Sequence, residues 1–269
     1  PESVDPLCLS YHKNGQELPL DETARQRLRE TFEKLSCEGY RVLAIATGNG
    51  ELREHNLCLI GLAAFLDPPR ADAAQTLAEL RDSGVAVKIL TGDNELVARK
   101  VCAEVGLPVE RILLGNDIDR LSDEALGVQA ERIALFARLS PSQKNRVISS
   151  LRARGHVVGY LGDGVNDAPA LRNADIGISV DSAVDVAREA ADIILLRPGL
   201  GPVHLGVLEG RRSFGNIMKY VLMGTSSNFG NMFSMAGASL FLPFLPLLPA
   251  QLLLNTLLYD LSQLAIPND

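Results

Sequence analysis

Apolar positions along this chain follow two rhythms. Short apolar runs alternate with longer stretches in which apolar residues return every three or four positions. The runs Gly39 to Ala46, Leu57 to Phe65, Val85 to Leu90, Ile133 to Ala137, Val157 to Leu161, Ile176 to Val180 and Asp192 to Leu196 read as strands. Helical spacing covers Asp21 to Leu35, with Leu28, Phe32 and Leu35 on one face, and then Ala71 to Asp82. It returns from Asn94 to Val105, closed by Gly106, and from Pro141 to Arg152, with proline at the start where a helix tolerates it. A further helix separates the last two strands. Strands alternating with helices predict an α/β fold with a doubly wound parallel sheet. Asp67-Pro68-Pro69-Arg70 interrupts the pattern, and its prolines force extended backbone that reads as a rigid connection between domains.

The pattern changes beyond about Pro202. A helix is predicted there, and no charged residue occurs between Lys219 and Asp260. That stretch has the length of two spans of about 20 residues each. Pro243, Pro246 and Pro249 read as the turn between them, which predicts an all-α transmembrane hairpin. Arg211, Arg212 and Lys219 precede the first span and place that end in the cytoplasm. A buried core of a soluble protein is the competing reading. The charge is divided in the same way. Of the formal net charge of -7, residues from Gly210 onward carry +1 and the preceding body carries -8. With no basic block, nucleic acid is not expected as a partner. Cys8, Cys37, Cys58 and Cys102 form neither a C-x-x-C pair nor a zinc spacing, so they are expected to be reduced thiols. No signal-peptide pattern opens the chain, and its first residue, Pro1, leads to the expectation that it lies within a longer protein.

Candidate chemistry gathers at predicted strand ends, where α/β sheets bind ligands. The run Val157 to Leu161 ends in Gly162-Asp163-Gly164-Val165-Asn166-Asp167. Two carboxylates and an amide this close suit a hard cation with oxygen ligands, Mg2+ above all. A solvated turn is the alternative. Thr91-Gly92-Asp93-Asn94 follows another strand and offers a hydroxyl, a glycine amide and a helix start, the parts of a phosphate cradle. Simple N-capping would also account for it. Lys144 stands in the first turns of the helix after Arg138-Leu-Ser-Pro-Ser-Gln, and alone it would read as a solvated lysine.

Together these strings resemble the P-type ATPases. Gly162-Asp-Gly-Val-Asn-Asp-Ala-Pro-Ala-Leu171 resembles their hinge motif, Thr91-Gly-Asp-Asn94 their second motif and Arg138 to Lys144 their third. Ser226-Ser-Asn-Phe-Gly-Asn231 and Leu257-Leu-Tyr-Asp-Leu-Ser-Gln-Leu-Ala-Ile-Pro267 resemble the magnesium-importing branch most closely. The resemblance implies a haloacid-dehalogenase-like fold in which Thr91, Gly92, Asp93 and Lys144 serve phosphoryl transfer. It implies Mg2+ at Asp163 and Asp167, with Asn166 in support. Arg41, Asp67 and Arg70 would meet the nucleotide, with a surface ion pair the alternative for Arg41. It divides the chain into residues 1–62, from a nucleotide-binding domain; 63–201, the phosphorylation domain; and 202–269, a stalk with two transmembrane helices.

The implied function is ATP-driven Mg2+ import through an aspartyl-phosphate. ATP, a transported divalent cation, lipid and the remainder of the pump would be the partners. The implied setting is the bacterial inner membrane, with the catalytic domain in the cytoplasm. The string Asp-Lys-Thr-Gly-Thr that carries the family's nucleophile does not occur here, so the phosphorylated Asp is expected outside this chain and the isolated chain is expected to be inactive. A carboxylate at bilayer depth costs about 2.5–3.5 kcal/mol on insertion scales. Asp260, with Thr256 four residues earlier on the same helix face, and Asn228 and Asn231 are therefore the expected ion path. Packing hydrogen bonds between helices compete as an account of the asparagines. A Ca2+ or other cation pump and a non-catalytic membrane module with the same fold are the alternative readings. A soluble phosphatase of the same fold would need its own Asp-x-Asp nucleophile.

Overall fold

The computed structural model describes every residue except Asn14, 49–54, Leu245 and 267–269. The chain divides into two compact units, Pro1–Pro202 and Val203–Asp269.

The first unit opens with a hairpin that the sequence pattern did not predict. Strands β1 (Cys8–Lys13) and β2 (Gln16–Pro19) pair antiparallel, and β1 lies parallel to β4 (Leu57–Phe65). β3 (Arg41–Thr47) pairs antiparallel with β4, which gives a four-stranded sheet in the order β2-β1-β4-β3. Helix α1 (Glu22–Cys37) packs on it and starts where Asp21 accepts the Ala24 amide at 2.8 Å. The four cysteines are free thiols; Cys8, Cys58 and Cys102 are buried and Cys37 is exposed.

Strands and helices alternate through the rest of this unit, and most of them fall where the rhythm predicts. They run α2 (Ala73–Asp82), β5 (Ile89–Leu90), α3 (Glu95–Glu104), β6 (Ile112–Leu114), α4 (Gly115–Ile118), α5 (Asp123–Arg132), β7 (Leu135–Ala137) and α6 (Pro141–Ala153). After them come β8 (Gly159–Leu161), a 3-10 turn at Val165–Asp167, α7 (Ala168–Asn173), β9 (Ile176–Val180), α8 (Asp185–Ala190) and β10 (Ile193–Leu195). All strand pairs among β5 to β10 are parallel, as expected. They fall into two groups of three, β5-β7-β6 and β10-β9-β8. β6, α4 and α5 were not anticipated. β5 is shorter than the predicted Val85 to Leu90, because only its end joins a ladder, and Lys88 instead bonds the carbonyls of Glu131 and Ile133 at 3.0 and 2.8 Å.

Two of the core clusters lie against the strands that lead to the site. Leu113, Ile118, Leu126, Phe136 and Val147 build one, and Ile148, Tyr160, Leu171 and Ala187 the other. Leu90 and Val158 pack against both, so the two strand groups share one interior around β5 and β8. Each fully buried side chain of this size contributes about 1.5–3 kcal/mol. The faces of the β8–β9–β10 group differ. Tyr160 and Gly177 are paired and buried on one face, where α7 approaches so closely that a Cβ at Gly177 would stand 2.6 Å from the Leu171 carbonyl. On the other face Leu161, Ile176 and Ile193 are 41%, 40% and 47% exposed, whereas Leu195 is buried. Strands of parallel sheets are normally covered on both faces.

The second unit consists of α9 (Gly201–Phe241), which begins at its edge, and α10 (Pro249–Gln263). The helices break where the prolines predicted, and the Tyr259 hydroxyl donates to the Met223 carbonyl. The expectation of a transmembrane hairpin is corrected here: among the described residues no helix is long and apolar enough to cross a membrane. Absence of charge is not the same as apolarity. The uncharged part of α9 carries Gly224, Thr225, Ser226, Ser227, Asn228, Gly230, Asn231, Ser234, Gly237 and Ser239, which dilute its hydropathy. α10 is apolar but has 15 residues, about 22 Å of helix against the ~30 Å of a hydrocarbon core.

Candidate functional site

The site is built where β5, β7 and β8 end. β5 delivers Thr91-Gly92-Asp93, and α3 begins directly after it with Asn94 as its cap, accepting the Leu96 amide at 2.7 Å. Asn94 therefore does the capping, and Thr91 is left to the loop. The Thr91 hydroxyl accepts the Asp93 amide and donates to Asp93 Oδ2, both at 3.0 Å. β7 fixes this loop from the side. The amide of Arg138 donates to the Asp93 carbonyl at 2.9 Å and that of Leu139 to the Thr91 carbonyl at 3.0 Å. Arg138 has a φ of +55°, a conformation that costs a non-glycine residue about 1–3 kcal/mol unless its surroundings hold it. Its guanidinium is held by Glu95 and Glu2, each at 2.5 Å, and those two bonds raise its pKa.

Helix α6 presents Lys144 from its first turns. Ser140 and Gln143 cap each other's amides at 3.3 and 2.9 Å, and Pro141 supplies the first helical residue. Lys144 Nζ reaches Asp167 Oδ1 at 2.8 Å. The same oxygen accepts the Tyr160 hydroxyl at 2.7 Å, and Oδ2 accepts the Gly164 amide at 3.2 Å. Burial by itself pushes the Asp167 carboxyl up. The bonds from Lys144 and Tyr160 outweigh it and hold the group below the usual carboxylate range. Burial, followed by the bond to Asp167, pushes the Tyr160 phenol well up, so at neutral pH it is a donor.

These pieces meet at one cavity of about 340 Å³, lined by Arg41, Thr91, Gly92, Asp93, Leu139, Pro141, Lys144 and Asn166. Arg41 comes from β3 of the four-stranded sheet and pairs with Asp93 at 2.5 Å, so the ion-pair alternative raised for Arg41 and a place at the cavity are both found. Asp163 is exposed in the turn after β8, where its carbonyl accepts the Val184 amide at 3.2 Å. Asp67 and Arg70 are exposed and do not line the cavity; Arg70 pairs with Asp72 at 3.5 Å. In the second unit, Asn228 and Asp260 are exposed, Asn231 is half-buried, and Thr256 donates to the Leu252 carbonyl at 3.0 Å.

Among the described residues no group of three or more His, Cys, Asp or Glu side chains is arranged to hold a metal ion. A Mg2+ ion keeps several waters and needs only one or two carboxylates, so the donors here still fit one. Asp163 is the accessible carboxylate, whereas Asp167 has both oxygens engaged by protein donors. Sequence reasoning passed over Tyr160 and Arg138 as individual residues. For Tyr160 a signal existed: a phenol in a buried strand normally has a hydrogen-bond partner.

Comparison with known proteins adds three findings. Residues 9–175 match the haloacid dehalogenase-like hydrolase family. The chain is 54% identical, over 98% of its length, to a magnesium-transporting ATPase, P-type 1, of Salmonella typhimurium and 53% identical, over the same share, to that of Escherichia coli K12. It is 34% identical, over 95% of its length, to calcium-transporting ATPase 1 of Bacillus cereus. The chain spans about 30% of the length of each of these relatives.

Proposed function

This chain belongs to the haloacid dehalogenase-like hydrolases, and from that premise we propose that it is the phosphoryl-transfer part of an ATP-driven P-type pump importing Mg2+. The observation that carries the reading is the single cavity at which Thr91, Gly92, Lys144 and Asn166 meet. The identity to the two bacterial magnesium-transporting ATPases supports the choice of ion.

In this reading residues 1–62 belong to a nucleotide-binding domain and 63–201 to the phosphorylation domain. The complete pump works at the bacterial inner membrane with this catalytic part on the cytoplasmic side. The phosphoryl group passes from ATP to an Asp carboxylate outside this chain, ADP leaves, and water later releases phosphate. Thr91 and the Gly92 amide bind the phosphoryl oxygens, and Lys144 offsets their charge. Phosphoryl transfer depends on such positioning and charge compensation more than on covalent help from the protein. Asp163 would hold Mg2+, with Asn166 beside it and Asp167 behind; when bound, the ion supplies positive charge at the phosphate. Arg41 approaches the nucleotide phosphates with its guanidinium fork. Asp67 and Arg70 lie further out along the connection. Asn228, Asn231, Thr256 and Asp260 are candidate oxygen ligands for the transported ion.

The open edges of β5 and β8 suit the same reading. Among the described residues β5 pairs only with β7, and β8 only with β9, yet both strands lead into the cavity loops. A parallel strand laid along these edges would end beside Thr91 and Lys144, where the missing carboxylate is needed. The test is Asp163→Asn in the complete pump. Mg2+-dependent phosphoenzyme should fall by at least about a hundredfold, as when one charge-stabilising group is removed. Undiminished phosphorylation would exclude Asp163 from the metal.

A further inference from the structure

We propose that Tyr160 is a positioning residue, whose hydroxyl fixes the Asp167 carboxylate and so sets where the Lys144 ammonium sits at the cavity. The proposal takes the task of Lys144 from the phosphoryl reading above. The positioning itself rests on this chain's own geometry.

Tyr160 is the middle residue of β8 and is 9% exposed. Its ring is locked among Ile148, Ala170, Leu171 and Ala187. The hydroxyl donates to Asp167 Oδ1 at 2.7 Å, and Lys144 Nζ occupies the same oxygen at 2.8 Å. The Gly164 amide holds Oδ2 at 3.2 Å. A carboxylate gripped at both oxygens cannot rotate, so its lysine partner has one place to be. The Lys144 and Asp167 side chains are 15% and 13% exposed, which leaves little room for water to substitute for the phenol.

The backbone is shaped to permit this contact. A Cβ at Gly162 would stand 2.6 Å from Asp167 Cβ and 2.9 Å from Tyr160 Cε1. Only the absence of a side chain there lets the ring edge and the carboxylate come together across the turn. Packing alone does not call for the hydroxyl, since phenylalanine fills nearly the same volume. A buried hydroxyl without a partner would be a cost, and this one is directed at the group that orients the catalytic lysine.

The test compares the acetylation rate of each lysine by acetic anhydride, read by mass spectrometry on the full chain. Wild type, Tyr160→Phe and Asp167→Asn are measured side by side, with Lys34 and Lys100 as internal references. Removing one hydrogen bond to a charged group should raise Lys144 labelling at least about threefold in Tyr160→Phe, leaving the reference lysines unchanged. Asp167→Asn should give the same selective rise. An unchanged Lys144 rate in Tyr160→Phe overturns the proposal, because the carboxylate then holds the lysine unaided. A rise shared by every lysine overturns it too, since the hydroxyl then serves the fold as a whole. The labelling contrast involves no phosphate, so it stands or falls apart from the pump reading, which fails instead on Asp163→Asn.

Discussion

Gly162 shows how much of this site depends on single atoms. It lies between Leu161, the last residue of β8, and Asp163, and its amide donates to the Ile178 carbonyl at 3.1 Å. The space beside its Cα is filled by Asp167 and Tyr160. Gly162→Ala should therefore cost about 1–3 kcal/mol, the usual range for overpacking a tight interior. Chemical denaturation of the full chain would measure it. A change below about 0.5 kcal/mol, the scale of ordinary surface substitutions, would mean that the turn yields and that the Tyr160–Asp167 contact is not constrained there. Arg138 is a second case at this scale. Its left-handed backbone is held by amide bonds to the Thr91–Asp93 loop and by two carboxylates on its side chain. Nothing in the local sequence around Arg138 announces that conformation.

At the scale of elements, the entry to β8 is pinned from several directions. Asp175 accepts the Val158 amide at 2.9 Å and pairs with Arg152 of α6. Glu131, at the end of α5, accepts Arg154 at 2.6 Å and His156 at 2.8 Å, which ties α5 to the segment leading into the strand. The Arg154 bonds first, and then His156, hold the Glu131 carboxyl down at about 2. A carboxyl depressed in the folded state contributes stability above its unfolded pKa of about 4.3 and loses it as pH falls through the folded value. Wild type should thus be more stable than Glu131→Gln above about pH 5, and the difference should shrink steadily toward about pH 2. Urea midpoints of the two proteins across that range would show it. A pH-independent difference would mean that the glutamate acts through packing rather than charge.

At the scale of the whole molecule, the first unit brings Arg41, Thr91, Gly92, Asp93, Lys144 and Asn166 to one cavity, and among the described residues β5 and β8, which lead into it, each pair with one strand. Leu161, Ile176 and Ile193 on one face of the β8–β9–β10 group are apolar and exposed, whereas Leu195 on the same face is buried. The chain contains no Asp-Lys-Thr-Gly-Thr string. Incubated alone with radiolabelled ATP and Mg2+, it should therefore form no acid-stable phosphoenzyme. Stoichiometric labelling of this chain alone would show that one of its own aspartates is the nucleophile, and the reading of Asp163 and Asp167 as metal groups would need to be rebuilt. In the second unit, the exposed phenylalanines of α9, including the stacked pair Phe229 and Phe233 with centroids 6.0 Å apart, belong to a helix whose glycine, serine and asparagine leave it insufficiently apolar to cross a membrane.

What the sequence determined by itself was whatever short-range rules decide. Short apolar runs and 3.6-residue spacing marked β5, α3, β7, α6, β8, β9 and β10, though not β6, α4 or α5, and Asp21 as cap and Pro141 as first helical residue marked where α1 and α6 begin. The motif strings marked Thr91, Lys144 and Asn166, which line one cavity. The tertiary structure alone decided the partners. Arg41 finds Asp93 across 52 residues, and Lys144 finds Asp167 across 23. It also decided that β5 to β10 pair as two groups of three rather than one ladder, and that Tyr160 turns its hydroxyl toward Asp167. Local pattern records which face of an element is apolar. Which edge pairs, and which polar tip meets which, depends on surfaces that chain separation hides until the elements pack.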